Sequence, residues 1–186
     1  ATQGVTLDQR QLAISGTATL RSAGFASANA PVIAVLSGGV LSFPQTTSLF
    51  NTDVTLTNAG TVRKEASAGT VRLDWPIVNT GDIEVLDDSL DLRNAVDHLT
   101  GTINIATGAT LVVPGTLTSS AAITVGATGS LYLRNGGVNA NPGNHLLGLT
   151  SSLSGAGTFR TVNADTVVVQ GAVDVGTLVT GNGYVQ

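Results

Sequence analysis

Cysteine and methionine are absent from this chain of 186 residues, and charged residues make up only 11 % of it. Without cysteine, the chain can form no disulfide, no cysteine-ligated metal site and no thiol nucleophile. The missing methionine indicates a mature form or an excised fragment. Glutamate and lysine, which usually build the exposed faces of helices, are scarce, and Lys64 is the only lysine. This shortage disfavours helices.

Strong positive charge and long apolar runs are also lacking. The formal net charge is −4, and no basic stripe is present, so nucleic acid is not an expected partner. No apolar run approaches the roughly 20 residues of a membrane-spanning helix, and no signal peptide is visible. We therefore predict no membrane span.

What the chain does contain is a repeat rich in glycine, threonine and valine, residue types that favour strands and tight corners. Four consecutive units superpose with a period of about 20 residues. In each unit, the first strand, the second strand and a third position carry apolar residues. The first strands centre on Val62, Ile83, Ile103 and Ile123, the second strands on Val71, Leu90, Leu111 and Leu131, and the third positions on Ile77, Val96, Leu117 and Val138.

Alternation within each strand points one side chain inward and the next outward, so a single coil cannot bury its own inner face. The pattern predicts an all-β fold: a right-handed parallel β-helix, or solenoid, with coils of about 20 residues. We expect one domain over residues 1–186, as a segment of a longer array. A β-sandwich is the competing fold, although it needs no such translational repeat.

Corners and flanking coils complete this prediction. Asn58-Ala59-Gly60, Asn79-Thr80-Gly81 and Asn135-Gly136-Gly137 are predicted to be turns whose residues tolerate positive φ. Residues Asn135 to Leu146 are expected to form a projecting loop. Further strands are expected on both sides of the central block, upstream from Val5 to Leu56 and downstream from Phe159 to Val179.

Several segments carry a family resemblance. They are Asn58-Ala59-Gly60-Thr61-Val62-Arg63-Lys64, Gly69-Thr70, Pro76 with Asn79-Thr80-Gly81, Leu90-Asp91-Leu92, Gly101-Thr102, Ala106-Thr107-Gly108-Ala109-Thr110-Leu111 and Ser154-Gly155-Ala156-Gly157-Thr158. Over roughly half of the chain, this pattern resembles the repetitive β-solenoid regions of bacterial secreted and surface proteins, such as autotransporter passengers and adhesin-like repeats. The resemblance implies export and a β-helix, and it carries over no catalytic residue.

One stretch concentrates the acids: Asp82, Glu84, Asp87, Asp88, Asp91 and Asp97, with His98 beside them. The main interpretation is a solvated outer surface, which predicts no metal and no cofactor. The alternatives are a Ca²⁺ site built from Asp82, Glu84, Asp87, Asp88 and Asp91, or a pair of carboxylates for glycoside cleavage. Alternation places Asp82, Glu84 and Asp91 on outward positions.

Two short motifs, Asn51-Thr52-Asp53 and Asp87-Asp88, invite comparison with polygalacturonase-type β-helical glycosidases. The Gly-His-Gly and Arg-Ile-Lys motifs of that family are missing here, so the sequence predicts no catalytic residue. Trp75 is a candidate glycan contact, and the alternative is a corner aromatic that packs over the core.

Other outward side chains offer weaker signals. Arg63, Arg72, Arg134 and Arg160 are predicted to pair with acids or to contact an anionic glycan. Thr-x-Thr triplets, as in Thr17 and Thr19, do not recur at each coil. The hydroxyl ranks of an ice-binding face would therefore be broken.

These observations predict a non-catalytic structural or adhesive stalk, or a display segment, of a secreted or cell-surface bacterial protein. Neighbouring coils or subunits of the same protein are the expected partners, in a filament or an extracellular matrix. Two alternatives stay open. One is a polygalacturonase-like polysaccharide hydrolase or lyase, and the other is a module that binds surface glycan or host protein.

Overall fold

The chain folds as a parallel β-solenoid of about 7 turns with ~21 residues per turn. The structure is a computed structural model, and it describes residues 5–8, 10–21, 25–49, 53–67, 69–134, 144–163, 166–181 and 184–185. These residues form strands β1 to β24, numbered along the chain, and contain no helix. Each pair of hydrogen-bonded strands among them runs parallel. The predicted solenoid is thus confirmed, and the sandwich is excluded.

Three ladders of strands form the walls. The first ladder contains β3 (Thr17–Thr19), β6 (Val40–Phe43), β9 (Thr61–Lys64), β12 (Asp82–Val85), β15 (Thr102–Ile105), β18 (Ala122–Val125), and the first parts of β21 (Ser152–Val162) and β23 (Ala172–Thr180). The second ladder contains β7 (Thr47–Leu49), β10 (Thr70–Leu73), β13 (Ser89–Leu92), β16 (Thr110–Val113), β19 (Ser130–Arg134), and the later parts of β21 and β23.

The third ladder contains β2 (Gln11–Ile14), β5 (Val32–Val35), β8 (Thr55–Asn58), β11 (Ile77–Asn79), β14 (Val96–His98), β17 (Leu117–Ser119), β20 (Asn144–Leu147), β22 (Thr166–Val169) and β24 (Tyr184–Val185). Strands β1 (Val5–Asp8) and β4 (Phe25–Ala28) form a separate parallel pair. Each coil therefore contributes one strand to each ladder in turn.

In each predicted apolar column, a residue of one coil lies directly above the equivalent residue of the preceding coil. Val62 pairs with Ile83, Ile83 with Ile103 and Ile103 with Ile123, and the three isoleucines are fully buried. The second-strand column Val71, Leu90, Leu111 and Leu131 is likewise in register and buried. One continuous apolar core therefore runs through the stack, as the sequence repeat predicted.

The predicted loop from Asn135 to Leu146 is wrong at its C-terminal end. Asn144 to Leu146 lie in β20, which continues the third ladder by pairing Thr118 with Leu146. The same register brings His145 opposite Leu117, at the inward position that the sequence analysis assigned to Val138. Val138 and the rest of the predicted loop lie outside the described residues.

The predicted role of the corner residues also needs correction. Asn58, Gly60, Asn79 and Gly81 do not have positive φ. A Cβ at Gly81 would instead overlap the carbonyl oxygen of Gly60 in the preceding coil. These glycines are required by the close approach of successive coils, which leaves no room for a side chain.

Asn58 and Asn79 turn their side chains inward and join consecutive coils. The Asn58 Nδ2 donates to Asn79 Oδ1 at 2.5 Å, and the Asn79 Nδ2 lies 2.9 Å from Nδ1 of His98. All three residues are buried and occupy equivalent positions of successive third-ladder strands. They form a polar ladder inside the core, which satisfies polar groups that the corner would otherwise bury unpaired.

Candidate functional site

The acidic stretch is distributed over the coil instead of forming one site. Asp82 and Glu84 lie on the outer surface of the first ladder, Asp91 on the second and Asp97 on the third. Asp87 and Asp88 lie at the exposed corner between the first two ladders. Residues that are close in sequence separate here because a coil turns through all three walls within about 20 residues.

Five of these six carboxylates, all except Asp97, have a local partner within the described residues. The Asp82 Oδ1 accepts hydrogen bonds from the amide and hydroxyl of Thr102, and Glu84 pairs with Nε of Arg63 at 2.5 Å. The Asp88 Oδ2 accepts from the amide of Gly69 at 2.6 Å. Among the described residues, no three acidic or histidine side chains are grouped so that they could hold a metal ion. The geometry gives the Ca²⁺ alternative no support.

The comparison with β-helical glycosidases gains no support from position either. Asp87 accepts the amide of Asp88 at 2.8 Å, in an exposed corner turn. Asn51 and Thr52 lie outside the described residues, and Asp53 is exposed. Asp53 precedes the third-ladder strand β8, whereas Asp87 and Asp88 lie between the first and second ladders, so these three described aspartates do not share a corner.

Neither histidine is placed to act as an exposed base. His98 is fully buried in the polar ladder, and its Nε2 lies 3.2 Å from the carbonyl oxygen of Ala122. His145 is 2 % exposed, and its Nδ1 accepts the amide of Leu117 at 3.2 Å. Burial lowers the pKa of His98, and it lowers the pKa of His145 to about 4. Both rings are therefore neutral at pH 7.

Trp75 is fully buried, so the structure favours the alternative of an aromatic that packs into the core. Its side chain is 0 % exposed, which gives the predicted glycan contact at this residue no support. A shallow groove of about 410 Å³ lies elsewhere, on the outer surface of the third ladder. It is lined by Thr116, Thr118, Asn144, His145, Leu146, Thr166 and Val168.

Charged and aromatic side chains do converge on the outer surface of the second ladder. In successive coils, Arg72 is in register with Asp91, Asp91 with Val112, Val112 with Tyr132, and Tyr132 with Arg160. A second column begins one residue after the β10 strand and contains Asp74, Arg93, Pro114 and Arg134. We call the four arginines Arg72, Arg93, Arg134 and Arg160 the arginine strip.

The two aspartates of this surface pair with arginines of the neighbouring coil. Arg93 lies 3.6 Å from Asp74, and Arg72 lies 3.8 Å from Asp91. Asp91 lies at the outward position predicted for it, in register with Arg72. It is only 6 % exposed, however, so the predicted solvated surface is wrong at this residue. Burial raises the pKa of both carboxyls, and the nearby arginines partly offset that effect.

Two arginines of the strip flank an aromatic ring. The guanidinium carbon of Arg160 lies 4.8 Å from the centre of the Tyr132 ring, and that of Arg134 lies 5.9 Å from it. Both distances are within the range of cation–π contacts. Neither Arg134 nor Arg160 forms an ion pair within the described part of the chain. The Nε of Arg134 is buried and has no hydrogen-bond partner there.

A column of hydroxyl groups runs beside the arginine strip. In register, each of six successive coils contributes one serine or threonine, namely Thr70, Ser89, Thr110, Ser130, Thr158 and Thr177. We call this column the hydroxyl row. Thr-x-Thr triplets do not recur at each coil and predicted broken ranks, whereas the hydroxyl row takes one hydroxyl from each coil.

Sequence reasoning missed Asp74, Arg93 and Tyr132 as members of this surface. Asp74 and Arg93 lie just beyond the ends of their strands, where alternation no longer assigns a direction. Superposing the units one residue further would have placed Asp74, Arg93 and Arg134 at equivalent positions. That superposition is the signal that could have found them.

No family model, no curated protein and no solved structure matches this chain. Among the described residues, the structure contains no helix that is long and apolar enough to cross a membrane.

Proposed function

We propose that this chain is a stiff, non-catalytic structural segment of a bacterial secreted or cell-surface protein, acting as an adhesive stalk or a display segment. The observation that carries the proposal is an unbroken column of inward residues through the first ladder. It consists of Ala18, Leu41, Val62, Ile83, Ile103, Ile123, Leu153 and Val173. About 7 turns at ~4.8 Å per coil give a rod about 34 Å long.

Stiffness follows from the way in which the coils are joined. Interior strands of each ladder are hydrogen-bonded to a strand on both sides, and the core is continuous along the axis. Bending the rod would open backbone hydrogen bonds on one wall and compress side chains on another. A structure of this kind suits the task of holding other parts of a protein at a fixed distance.

The test is replacement of the chain within its full-length protein. An unrelated rigid rod of the same length should restore exposure of the distal domains on intact cells, as measured with an antibody. A flexible Gly-Ser linker of the same residue number should not restore it. If neither the chain nor the full-length protein reaches the outside of the cell, the proposal is wrong.

The enzymatic alternative has a separate readout. The purified chain should release no reducing sugar ends from acidic or neutral polysaccharides. If the chain releases reducing ends and this activity disappears in Asp91→Asn or in the double variant D87N/D88N, the chain is a hydrolase or lyase and the stalk proposal is wrong.

A further inference from the structure

We propose that the arginine strip, Tyr132 and the hydroxyl row form a binding surface for a linear carboxylated polysaccharide, a polyuronate, lying along the axis of the solenoid. This inference goes beyond the structural role and does not depend on it. It rests on three features of the second ladder: its charge, its one-dimensional geometry and the chemistry of its uncharged side chains.

The charge of this surface is opposite to that of the whole chain. The chain has a net charge of −4, whereas the arginine strip sets four arginines against Asp74 and Asp91. Those two carboxylates are buried and paired with Arg93 and Arg72. Arg134 and Arg160 keep unpaired guanidinium groups within the described residues, and a planar guanidinium matches a carboxylate with two parallel hydrogen bonds.

The geometry fits an extended ligand. Arg93 and Arg134 occupy the same column two coils apart, a separation of roughly 10 Å at ~4.8 Å per coil. Arg160 lies in the coil after Arg134 and in the adjacent column. Positive charges thus recur along the second ladder in two adjacent columns, so a polymer with regularly spaced carboxylates can contact several of them at once.

The uncharged side chains favour a sugar over an acidic peptide. The hydroxyls of Thr110, Ser130 and Thr158 make no hydrogen bond within the part of the chain that the structure describes, and these residues are partly exposed. They can donate to and accept from sugar hydroxyls, which a polyglutamate lacks. The partly exposed Tyr132 ring contacts the Arg134 and Arg160 guanidinium groups and keeps them at this surface beside the hydroxyls.

Calorimetry with tetragalacturonate as the probe tests the proposal. Its fully methyl-esterified form is the matched neutral sugar, and a tetraglutamate peptide is the matched acidic ligand without sugar groups. The test variant is R134Q/R160Q, and the matched control is R10Q/R63Q, which removes the same charge from other parts of the surface. Arg63 lies on the first ladder and pairs with Glu84, and Arg10 precedes the third-ladder strand β2.

We expect tetragalacturonate to bind the unmodified chain, with at least about tenfold weaker binding in R134Q/R160Q, the loss typical of one charged hydrogen bond. R10Q/R63Q should bind within about twofold of the unmodified chain, the change expected for distant surface charges. The esterified sugar should bind at least about tenfold more weakly, since it cannot form charge-assisted hydrogen bonds. If R134Q/R160Q does not fold, R160Q replaces it, because Arg160 is exposed.

Four results would overturn the proposal: no binding of tetragalacturonate, equal binding of the esterified sugar, equal losses in the two double variants, or equally tight binding of tetraglutamate. The last result would assign the surface to acidic peptides. None of the four bears on the rod-replacement experiment, which measures exposure of other domains and not affinity for sugar.

Discussion

His145 makes the stability of the solenoid depend on pH in a predictable direction. Its ring is buried at an inward position of β20, and its Nδ1 accepts the amide hydrogen of Leu117. Protonation would place a charge in the apolar interior and turn this acceptor into a second donor that faces the Leu117 amide. Burial accordingly lowers the pKa of His145 from its ordinary value of 6.5 to about 4.

The magnitude follows from linkage between protonation and folding. Between pH 6.5 and about pH 4, the unfolded chain binds a proton at His145 and the folded chain does not. The contribution of the neutral His145 ring to stability is therefore fully present above pH 6.5, and it is lost as the pH falls toward 4. At about 1.4 kcal/mol per pKa unit, the loss from this residue reaches roughly 3 kcal/mol. Burial also lowers the pKa of His98, which adds a loss of the same sign.

Two carboxyls act in the opposite direction. Burial raises the pKa of Asp74 and Asp91 above the ordinary 3.8. Each therefore binds its proton more readily in the folded chain, which favours folding as the pH falls through that raised value toward 3.8. Because these contributions are present with and without His145, a comparison of two variants isolates the histidine.

The variant His145→Asn keeps an acceptor near the position of Nδ1 and removes the titrating ring. Urea unfolding, followed by circular dichroism at several pH values between 4 and 8, gives the free energy of unfolding of both proteins. The unmodified chain should lose roughly 3 kcal/mol more than H145N between pH 7 and 4. NMR titration of the ring protons should give a pKa near 4. Equal pH dependence in both proteins, or a ring that titrates near 6.5, would refute the reasoning.

Two further predictions concern the corners. His98→Asn should change the free energy of unfolding little at pH 7, because an asparagine continues the polar ladder of Asn58 and Asn79. His98→Leu should cost about 1–3 kcal/mol, because one N–H of the Asn79 side chain loses its acceptor while the other still donates to Gly81. Comparison of their urea midpoints at pH 7 measures both, and equal midpoints would contradict the proposed role of the ladder. Gly81→Ala should destabilise the chain strongly, since its Cβ would overlap a backbone carbonyl, whereas Gly16→Ala, which has open space, should be nearly neutral. Thermal melts of this matched pair check the explanation, which fails if the two melt alike.

The core could be predicted from sequence because it depends on a local rule repeated many times. Ile83, Ile103 and Ile123 alternate with polar neighbours and recur with the coil period, and these two facts fix both their direction and their stacking. The outer strands around Leu41 and Val167 follow the same rule, and they are also confirmed.

The burial of outward side chains and the presence of polar groups at inward positions could not be predicted in the same way. Alternation gives the direction of Asp91 but not its burial, which is set by side chains from neighbouring coils. Lys64 shows the same limit. It is buried at an inward position between Phe43 and Val85, and its Nζ donates to the carbonyl oxygens of Glu65 and Ser67. The alternation of apolar and polar residues does not predict a buried lysine whose charged group donates hydrogen bonds to backbone carbonyls of the adjacent turn.

The outer surfaces of the three ladders differ in how far their polar groups are already satisfied. On the first ladder, Arg63 forms an ion pair with Glu84. Asp82 accepts a hydrogen bond from the Thr102 hydroxyl, and Asn104 accepts one from the Thr124 hydroxyl at 2.5 Å. On the described strands of the third ladder, Asp97 is the only charged outward residue.

The second ladder alone combines unpaired guanidinium groups with a column of unengaged hydroxyls, within the described residues. A fold whose backbone hydrogen bonds and apolar residues are taken up by stacking leaves recognition to outward side chains. Outward guanidinium groups bind a charged ligand only where they do not already form ion pairs with carboxylates of the chain. By that criterion, we expect an anionic, hydroxyl-rich polymer to bind the outer surface of the second ladder, which carries Arg134 and Arg160.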